Sequence, residues 1–401
     1  MVVGYTAATA MEITDVNTYA VEMPVRPLAD RGGVSPYMGS TDAFEEYQEA
    51  GGTTGGTQTT QRTIVELRTD GDVTGWGESR TVLARGPGGP RSARTIIEEA
   101  VAPVAEGMAL GQAGAFVDDP AFRYEYMDLS PFVAAVEMAM WDAYGKALGE
   151  PVHRLLGGKR TDAVDCACCL GILDLEETRR KAREFREMGF SVLKTKACRD
   201  WAHDVERVAA IREATDGALD VRLDPNQEWT FEDAVRVGAH LEDRGLTVAY
   251  LEQPIRTGTV GSYRTLRQRL AQPIGVNEDM YHDHNLFALV REDAIDVAVL
   301  ELIAAGGIVP LRRLAALGAE AGISMSHHSS FDLGLKTAAK VHAIAATPAI
   351  NLPMDVVYYS LVDDVLAEPF EIENGAISVP DGPGLGVTVD RQKLDRYAAA
   401  E

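Results

Sequence analysis

The sequence predicts an α/β protein in which a small N-terminal α+β domain precedes a closed barrel of alternating strands and helices. Two observations carry this. From about residue 160, short β-rich runs alternate with amphipathic helical runs until eight strands have passed, which implies parallel strands joined by right-handed crossovers. Ahead of them, residues 11–22 and 61–68 alternate apolar and polar positions as half-buried antiparallel strands do.

In chain order, residues 1–10 form a ragged extension, and the periodic sequence begins near Met11. After strands 11–22 and 61–68, Gly71 and Asp72 turn the chain into a third strand, VTGWGES (73–79). Between the first two lies a polar insert, 26–60, ending in GGTTGGTQTT. A stretch of that length without elements of its own is either a lid over a site or a disordered surface loop. Helices are expected over 92–110 and 130–148; in the second, Val133, Val136, Met140 and Tyr144 fall at helical spacing. These elements make one domain, 11–145. The barrel occupies 146–365, with strands at 164–170, 191–196, 219–224, 247–252, 273–278, 296–301, 323–328 and 349–355. Amphipathic runs such as 174–188, 203–214, 231–244, 261–270, 307–321 and 333–346 lie between them. The irregular tail, 366–401, is expected to fold back onto the first domain.

The 401 residues include 61 acidic against 38 basic side chains, a net charge of −23, with 46% hydrophobic content. Such a chain can fold around a sizeable core, and its field repels phosphate backbones and anionic lipid, so nucleic acid and membranes are not expected partners. No apolar run is long enough to span a bilayer, and Glu12 and Asp15 stand where a secretory signal would be basic and apolar. A cytoplasmic protein is expected. Cys166, Cys168 and Cys169 share one strand and read as buried reduced thiols, not a disulfide framework or a zinc site. Two weaker patterns, HDH (282–284) and GPGGP (86–90), read as a helix start and a turn.

The strand ends carry the chemistry. Successive strands finish on Lys194-Thr195-Lys196, Asp224-Pro225-Asn226, Glu252-Gln253-Pro254, Asn277-Glu278-Asp279, Glu301 and His327-His328. In a barrel these ends share one mouth, where active sites are built. Solvation alone does not explain why the polar residues keep to one end. Asp224, Glu252 and Glu278 can converge, and their mutual repulsion is relieved by a hard divalent cation; oxygen-only donors suit Mg²⁺. Asn277 and Asp279 flank Glu278 and leave the third ligand uncertain by one residue. Lys194 and Lys196 point to the same face, and two adjacent ammonium groups depress each other's pKa until one can serve as a base. Across the mouth, His328 can pair with Glu301, a carboxylate that would orient the imidazole and stabilise its charged form, while His327 points the other way.

Together with GWGES (75–79), EMAMWDAYGKALGEPVHRLLGG (137–158), KTK (194–196), LDPNQEW (223–229), LEQP (251–254), AAGGI (304–308) and PDGPGLGV (380–387), these residues resemble the enolase superfamily, in its mandelate racemase and sugar-acid dehydratase branch. The resemblance covers about residues 11–391. It implies a capping domain closing over a modified (β/α)₇β barrel and an essential Mg²⁺ held by Asp224, Glu252 and Glu278. By the same resemblance Lys196 is the base on one face of the substrate, Lys194 helps neutralise charge, and His328 with Glu301 serves the other face. The branch has Asp where this chain has Glu301. Muconate-lactonizing relatives have Lys there, so this chain does not look like them.

The implied reaction removes the proton next to a carboxylate through an enediolate, a pattern given for the enolase superfamily as a Lys or His base with Mg²⁺. Dehydration of an acid sugar to a 2-keto-3-deoxy acid is the preferred outcome. Racemisation, epimerisation or cycloisomerisation would use the same first step. Asn226, Asp355, Arg26 and Tyr37 are candidate substrate contacts, with Arg31 a further candidate in the insert. A Schiff-base aldolase working through Lys194 or Lys196, or a non-catalytic binding barrel, are the rivals from other classes. Relatives suggest a homo-oligomer.

Overall fold

The computed structural model describes residues 10–27, 30, 32, 59–80, 89–123, 128–198, 200–281 and 283–398. The N-terminal region is a three-stranded antiparallel sheet, β1 (Ile13–Pro24), β2 (Thr59–Thr69) and β3 (Thr74–Arg80), in that order. The helix Ser130–Leu148 lies against it, with Pro131 in its first turn and Gly149 ending it in the left-handed region at φ +69°. Helix and sheet touch backbone to backbone. A Cβ on Gly75 would come within 2.0 Å of the Ala139 carbonyl oxygen, and one on Gly77 within 1.9 Å of that of Ala135, which is why GWGES carries glycine twice.

The helix expected over 92–110 is broken. It runs as Gly89–Ile96, a π turn Ile97–Val101 and a last turn Ala102–Ala105. Pro103 cannot donate to the preceding turn, and the widened turn ahead of it absorbs that loss. Gly89 and Pro90 thus open a helix instead of completing a surface turn.

The barrel strands are β4 (Ala163–Leu170), β5 (Val192–Lys196), β6 (Asp220–Asp224), β7 (Tyr250–Glu252), β8 (Ile274–Val276), β9 (Val297–Leu300), β10 (Ser324–His327) and β11 (Met354–Val356). They are hydrogen-bonded in parallel in the order β10-β9-β8-β7-β6-β5-β4-β11. The gap between β10 and β11 is bridged by the Leu352 N–H donating to the Met325 carbonyl at 2.9 Å and the Ser326 hydroxyl donating to that of Pro353 at 2.8 Å. Helices alternate with the strands up to β11, which is followed by a short 3₁₀ turn, Tyr358–Ser360. This is a modified, nearly closed TIM barrel with an N-terminal α+β capping region.

Several strands stop short of the sequence expectation. β8 ends at Val276, because Glu278–Tyr281 curls into a 3₁₀ turn, and β11 starts only after Pro353. The tail touches both regions: β12 (Ala376–Ser378) pairs antiparallel with β4, and Arg391 reaches Glu66 on β2. One hydrophobic cluster fills the barrel and its helices, and a second lies between the sheet and Ser130–Leu148. The four cysteines are buried, and burial pushes the Cys166 and Cys169 thiols up to about 12, which leaves those two inert. Among the described residues no helix is long and apolar enough to cross a membrane.

Candidate active site

Strand alternation sends Lys194 and Lys196 to the barrel interior, and register places Lys196 beside Asp224. The Lys194 ammonium donates to Glu252 at 2.5 Å and to Asp355 at 2.9 Å, and lies 3.1 Å from Asp224. Lys196 donates to Asp224 and to the Asn226 side-chain oxygen, each at 2.6 Å. The Asn226 amide passes the chain on to Glu278 at 3.0 Å. Asn226 and Gln253, just beyond β6 and β7, sit at φ +44° and +40°, backbone strain of the kind that collects at working sites.

Geometry separates the three acidic-site candidates after β8. Asn277 donates to the Val299 carbonyl, and Asp279 accepts from Gln253 and from the Gly258 N–H. Only Glu278 faces Asn226 and the field of Asp224.

Burial works against the charge on Lys194, but Asp224, Asp355 and Glu252 outweigh it and hold this ammonium well above the usual lysine range. The expected mutual depression of the lysines is therefore absent for Lys194 in this state. Each lysine lies closer to carboxylates than the strand pattern alone implied. Burial also opposes the charge on Asp224, yet Lys194 and Lys196 lower its pKa, whereas Glu252 and Glu278 are raised by burial.

Among the described residues no group of three acidic, histidine or cysteine side chains is drawn together tightly enough to hold a metal as it stands. The lysines thread between the carboxylates instead. Even so, Glu252 Oε2 and Glu278 Oε2 are buried without a hydrogen-bond partner. Buried carboxylate oxygens are normally satisfied, and oxygen donors alone fit a hard divalent cation.

Asp355 is not turned to the mouth. It is fully buried, with one oxygen on Lys194 and the other on Arg222 at 2.9 Å, so its place is beneath the site. Arg26 donates to the Tyr359 carbonyl at 3.1 Å and lines an outer groove with Met188, Tyr359 and Phe370, which no mouth carboxylate shares. Tyr37 and Arg31, like most of the insert, lie outside the described residues.

On the opposite side, the expected Glu301–His328 pair is replaced. Glu301 caps the helix Leu302–Ala305, accepting the Ala304 N–H at 2.7 Å, and its other oxygen is ion-paired with Lys336. Lys336 also holds Asp332 at 2.7 Å, and Lys340 meets Asp332 at 3.0 Å. Lys336 and Lys340 outcompete a neutral imidazole for Glu301 and Asp332, because charged partners bond more strongly. His328 Nδ1 is left buried without a partner. Burial, then Lys194, Lys196 and Lys336, keep this imidazole neutral. His327 is packed away: its Nε2 accepts the Leu302 N–H at 3.0 Å and its Nδ1 meets the His328 carbonyl at 2.6 Å.

Sequence reasoning missed Arg222, Asp332, Lys336 and Lys340. The signal was available for the lysines, since only eight occur in the chain and two stand one helical turn apart just after His328.

Comparison with known proteins shows the family. Residues 177–393 match the enolase C-terminal domain-like family, and residues 50–157 the mandelate racemase/muconate lactonizing enzyme N-terminal domain. The chain belongs to the mandelate racemase/muconate lactonizing enzyme branch of the enolase superfamily. Within this branch it is 30% identical to muconate cycloisomerase 1-2 of Acinetobacter lwoffii, over 83% of this chain and 87% of that one. It is 29% identical to arabinonate dehydratase of Saccharolobus solfataricus, over 66% and 71%. An isomerase from Streptomyces coelicolor A3(2) superposes with a TM-score of 0.81 at 30% identity, covering 97% of each chain. Likeness to muconate cycloisomerases is thus substantial despite Glu301, and the sixth-strand position alone was too narrow a basis for setting them apart. The enzyme carries out lyase or isomerase chemistry, abstracting a proton beside a substrate carboxylate by way of an enediolate. That chemistry displaces the Schiff-base aldolase and the inert barrel as readings of the fold, and a lysine held charged, as Lys194 is, makes a poor imine former.

Proposed function

We propose that this enzyme is a Mg²⁺-dependent dehydratase of an acid sugar. The observation that carries the reading is that two different proton-transfer groups flank one carboxylate cluster: Lys196, bonded to Asp224 and Asn226, and His328, neutral and with Nδ1 unpartnered. Asp224, Glu252 and Glu278 would hold the ion, which when bound supplies Lewis-acid stabilisation of the carboxylate as negative charge develops on it. Lys196, held 2.6 Å from Asp224 and from Asn226, would take the substrate's α-proton. Lys194 stays charged on Asp355 and offsets the enediolate's charge. The anionic substrate also offsets the lysine charges that keep His328 neutral, so His328 can take up a proton. It then delivers that proton to the β-hydroxyl, the C–O bond breaks, water leaves, and the enol tautomerises to a 2-keto-3-deoxy acid. Asn226, bonded to both Lys196 and Glu278, would touch a substrate hydroxyl.

The likeness to arabinonate dehydratase supports dehydration. A second reading is proton return to the same carbon, as in a racemase or epimerase, because an ammonium opposite a neutral imidazole is the pair that such a transfer needs. Cycloisomerisation is a third outcome of the same first step, supported by the likeness to muconate cycloisomerase. Screening acid sugars and other 2-hydroxy acids with Mg²⁺ and with EDTA tests these. Keto-acid formation that EDTA abolishes is the expected result; turnover indifferent to chelation overturns the proposal, and inversion without keto acid selects the second reading.

A further inference from the structure

Behind His328 lies a second charge cluster whose side chains neither give nor take a proton in the reaction proposed above. Lys336 and Lys340 stand one turn apart on the helix Gly334–Ala345, and between them they hold Asp332, which precedes that helix, and Glu301, which follows β9. All four side chains are at most 2% exposed. Two lysines against two carboxylates make the cluster neutral, so losing one lysine obliges a carboxyl group to take a proton or leaves a buried charge unpaired. The two acids differ in what would remain. Asp332 would keep Lys340, the Ser329 hydroxyl at 2.9 Å and the Ser330 N–H at 3.3 Å. Among the described residues Glu301 would keep one hydrogen bond, from the Ala304 N–H.

We propose that Lys336 is a positioning residue that keeps Glu301 ionised and turned away from His328, so that an anionic acceptor stands at the end of the sixth barrel strand at every working pH. The groups facing this pair are the Ala304 N–H from the turn after β9, Tyr281 from the turn after β8, His327 at the end of β10, Asp332 just ahead of the helix Gly334–Ala345, Lys340 on it, and Arg62 and Glu78 from the capping sheet. Glu78 binds the Leu333 and Lys336 N–H groups at 2.8 and 2.9 Å, and Arg62 lies 3.5 Å from Glu78. Burial opposes the charge on Glu301, and Lys336 is the largest influence restoring it. His327 is the mirror case: burial first, then Lys340 and Lys336, keep it neutral, so it cannot replace Lys336 as counter-charge. The same lysine adds to the field that keeps His328 neutral. Lys336 thereby holds the charge on Glu301 and adds a smaller share to the field on His328. As a consequence for the reaction the inference rests on the function proposed above, but its physical core does not.

The test uses the full chain and K336M, K336R, K336M/E301Q and K336M/D332N. Infrared difference spectra over a pH titration read the carbonyl stretch of protonated carboxyl groups without any substrate. K336M is expected to gain such a band at neutral pH, K336R not, and K336M/E301Q to lose it again. A band that survives in K336M/E301Q but vanishes in K336M/D332N would assign the proton to Asp332 and overturn the proposal, as would no new band in K336M. Should K336M fail to fold, thermal denaturation of the double variants decides: recovery by E301Q supports the pairing, and recovery by D332N alone refutes it. With a substrate in hand, kcat/KM of K336M should fall about tenfold for each pH unit below the raised Glu301 pKa. The wild type and K336R should stay level over the same range. A chain with no turnover on any acid sugar would sink the dehydratase reading yet leave the infrared outcome standing.

Discussion

The two sides of the barrel mouth handle buried charge in opposite ways. On the lysine side, Lys194, Lys196 and Arg222 face Asp224, Glu252, Glu278 and Asp355, three cations against four acids, and two carboxylate oxygens are left without partners. On the histidine side, Lys336 and Lys340 balance Glu301 and Asp332; Glu301 Oε1 has no partner but the Lys336 ammonium among the described residues, and His328 Nδ1, on an uncharged imidazole, has no hydrogen-bond partner. The first side is short of positive charge; the second is complete. A cation has a reason to bind one and none to bind the other. The difference also divides the labour of proton transfer, since the incomplete side can exchange its lysine's anions for another ion while the complete side holds a neutral base in a fixed field.

The strongest way to break this comparison is Lys196→Ala. Loss of a positioned general base costs about a hundred- to ten-thousandfold, so exchange of the substrate α-proton with heavy water should fall by that factor. Full exchange in this variant, with loss in His328→Asn, would move the base to the histidine side.

Lys194→Met probes the same side through stability. It leaves Glu252 and Asp355 buried without this shared cation, and breaking a buried pair costs about 3–5 kcal/mol. Denaturant unfolding should register that loss at neutral pH. A change within about 0.5 kcal/mol would mean the carboxylates are already protonated and the side is not short of cations at all.

Adding Mg²⁺ sharpens the contrast further. A ligand bound only by the folded chain stabilises it by about 2.7 kcal/mol at a hundred times its Kd, so Mg²⁺ should raise Tm and EDTA reverse it. Glu278→Gln should erase most of the rise, whereas Glu301→Gln should leave it. An equal loss in both variants would place the ion elsewhere.

Much of this was readable from residue order. Strand-end residues with period-two alternation put Lys194, Lys196, Asp224 and Glu252 on one interior wall, and the barrel followed from the alternation of elements. What strand ends could not reveal is which charges meet across the barrel. The sequence expectation ends the last strand on Asp355 as it ends another on Asp224, yet Asp355 lies in the middle of β11, where Arg222, two residues below the rim on β6, holds it with Lys194. Glu301 and His328 were adjacent by strand order, but a helix that returns beneath the mouth delivers Lys336, and a charged partner wins over an imidazole. The long insert was legible only as an insert, because a Gly- and Thr-rich polar run has no periodicity from which a partner could be inferred.

The last comparison concerns pH and the histidine side alone. Burial, followed by Lys340 and Lys336, lowers His327 to about 4, whereas an unfolded histidine titrates near 6.5. Between those values the unfolded chain binds one more proton at this position than the folded one. Stability contributed by a neutral His327 is therefore full above about 6.5 and is lost as pH falls toward 4, with a slope of about 1.4 kcal/mol per pH unit. His327→Gln keeps an acceptor for the Leu302 N–H but cannot titrate, so its unfolding free energy should fall less steeply over that window, by about one proton. His342, lowered by burial to about 4, contributes its own proton in the same range, and His342→Gln is the control that separates the two. An unchanged slope in His327→Gln would mean that the histidine side already takes up a proton near neutrality, and that its charge is not complete in the way Lys336 and Lys340 imply.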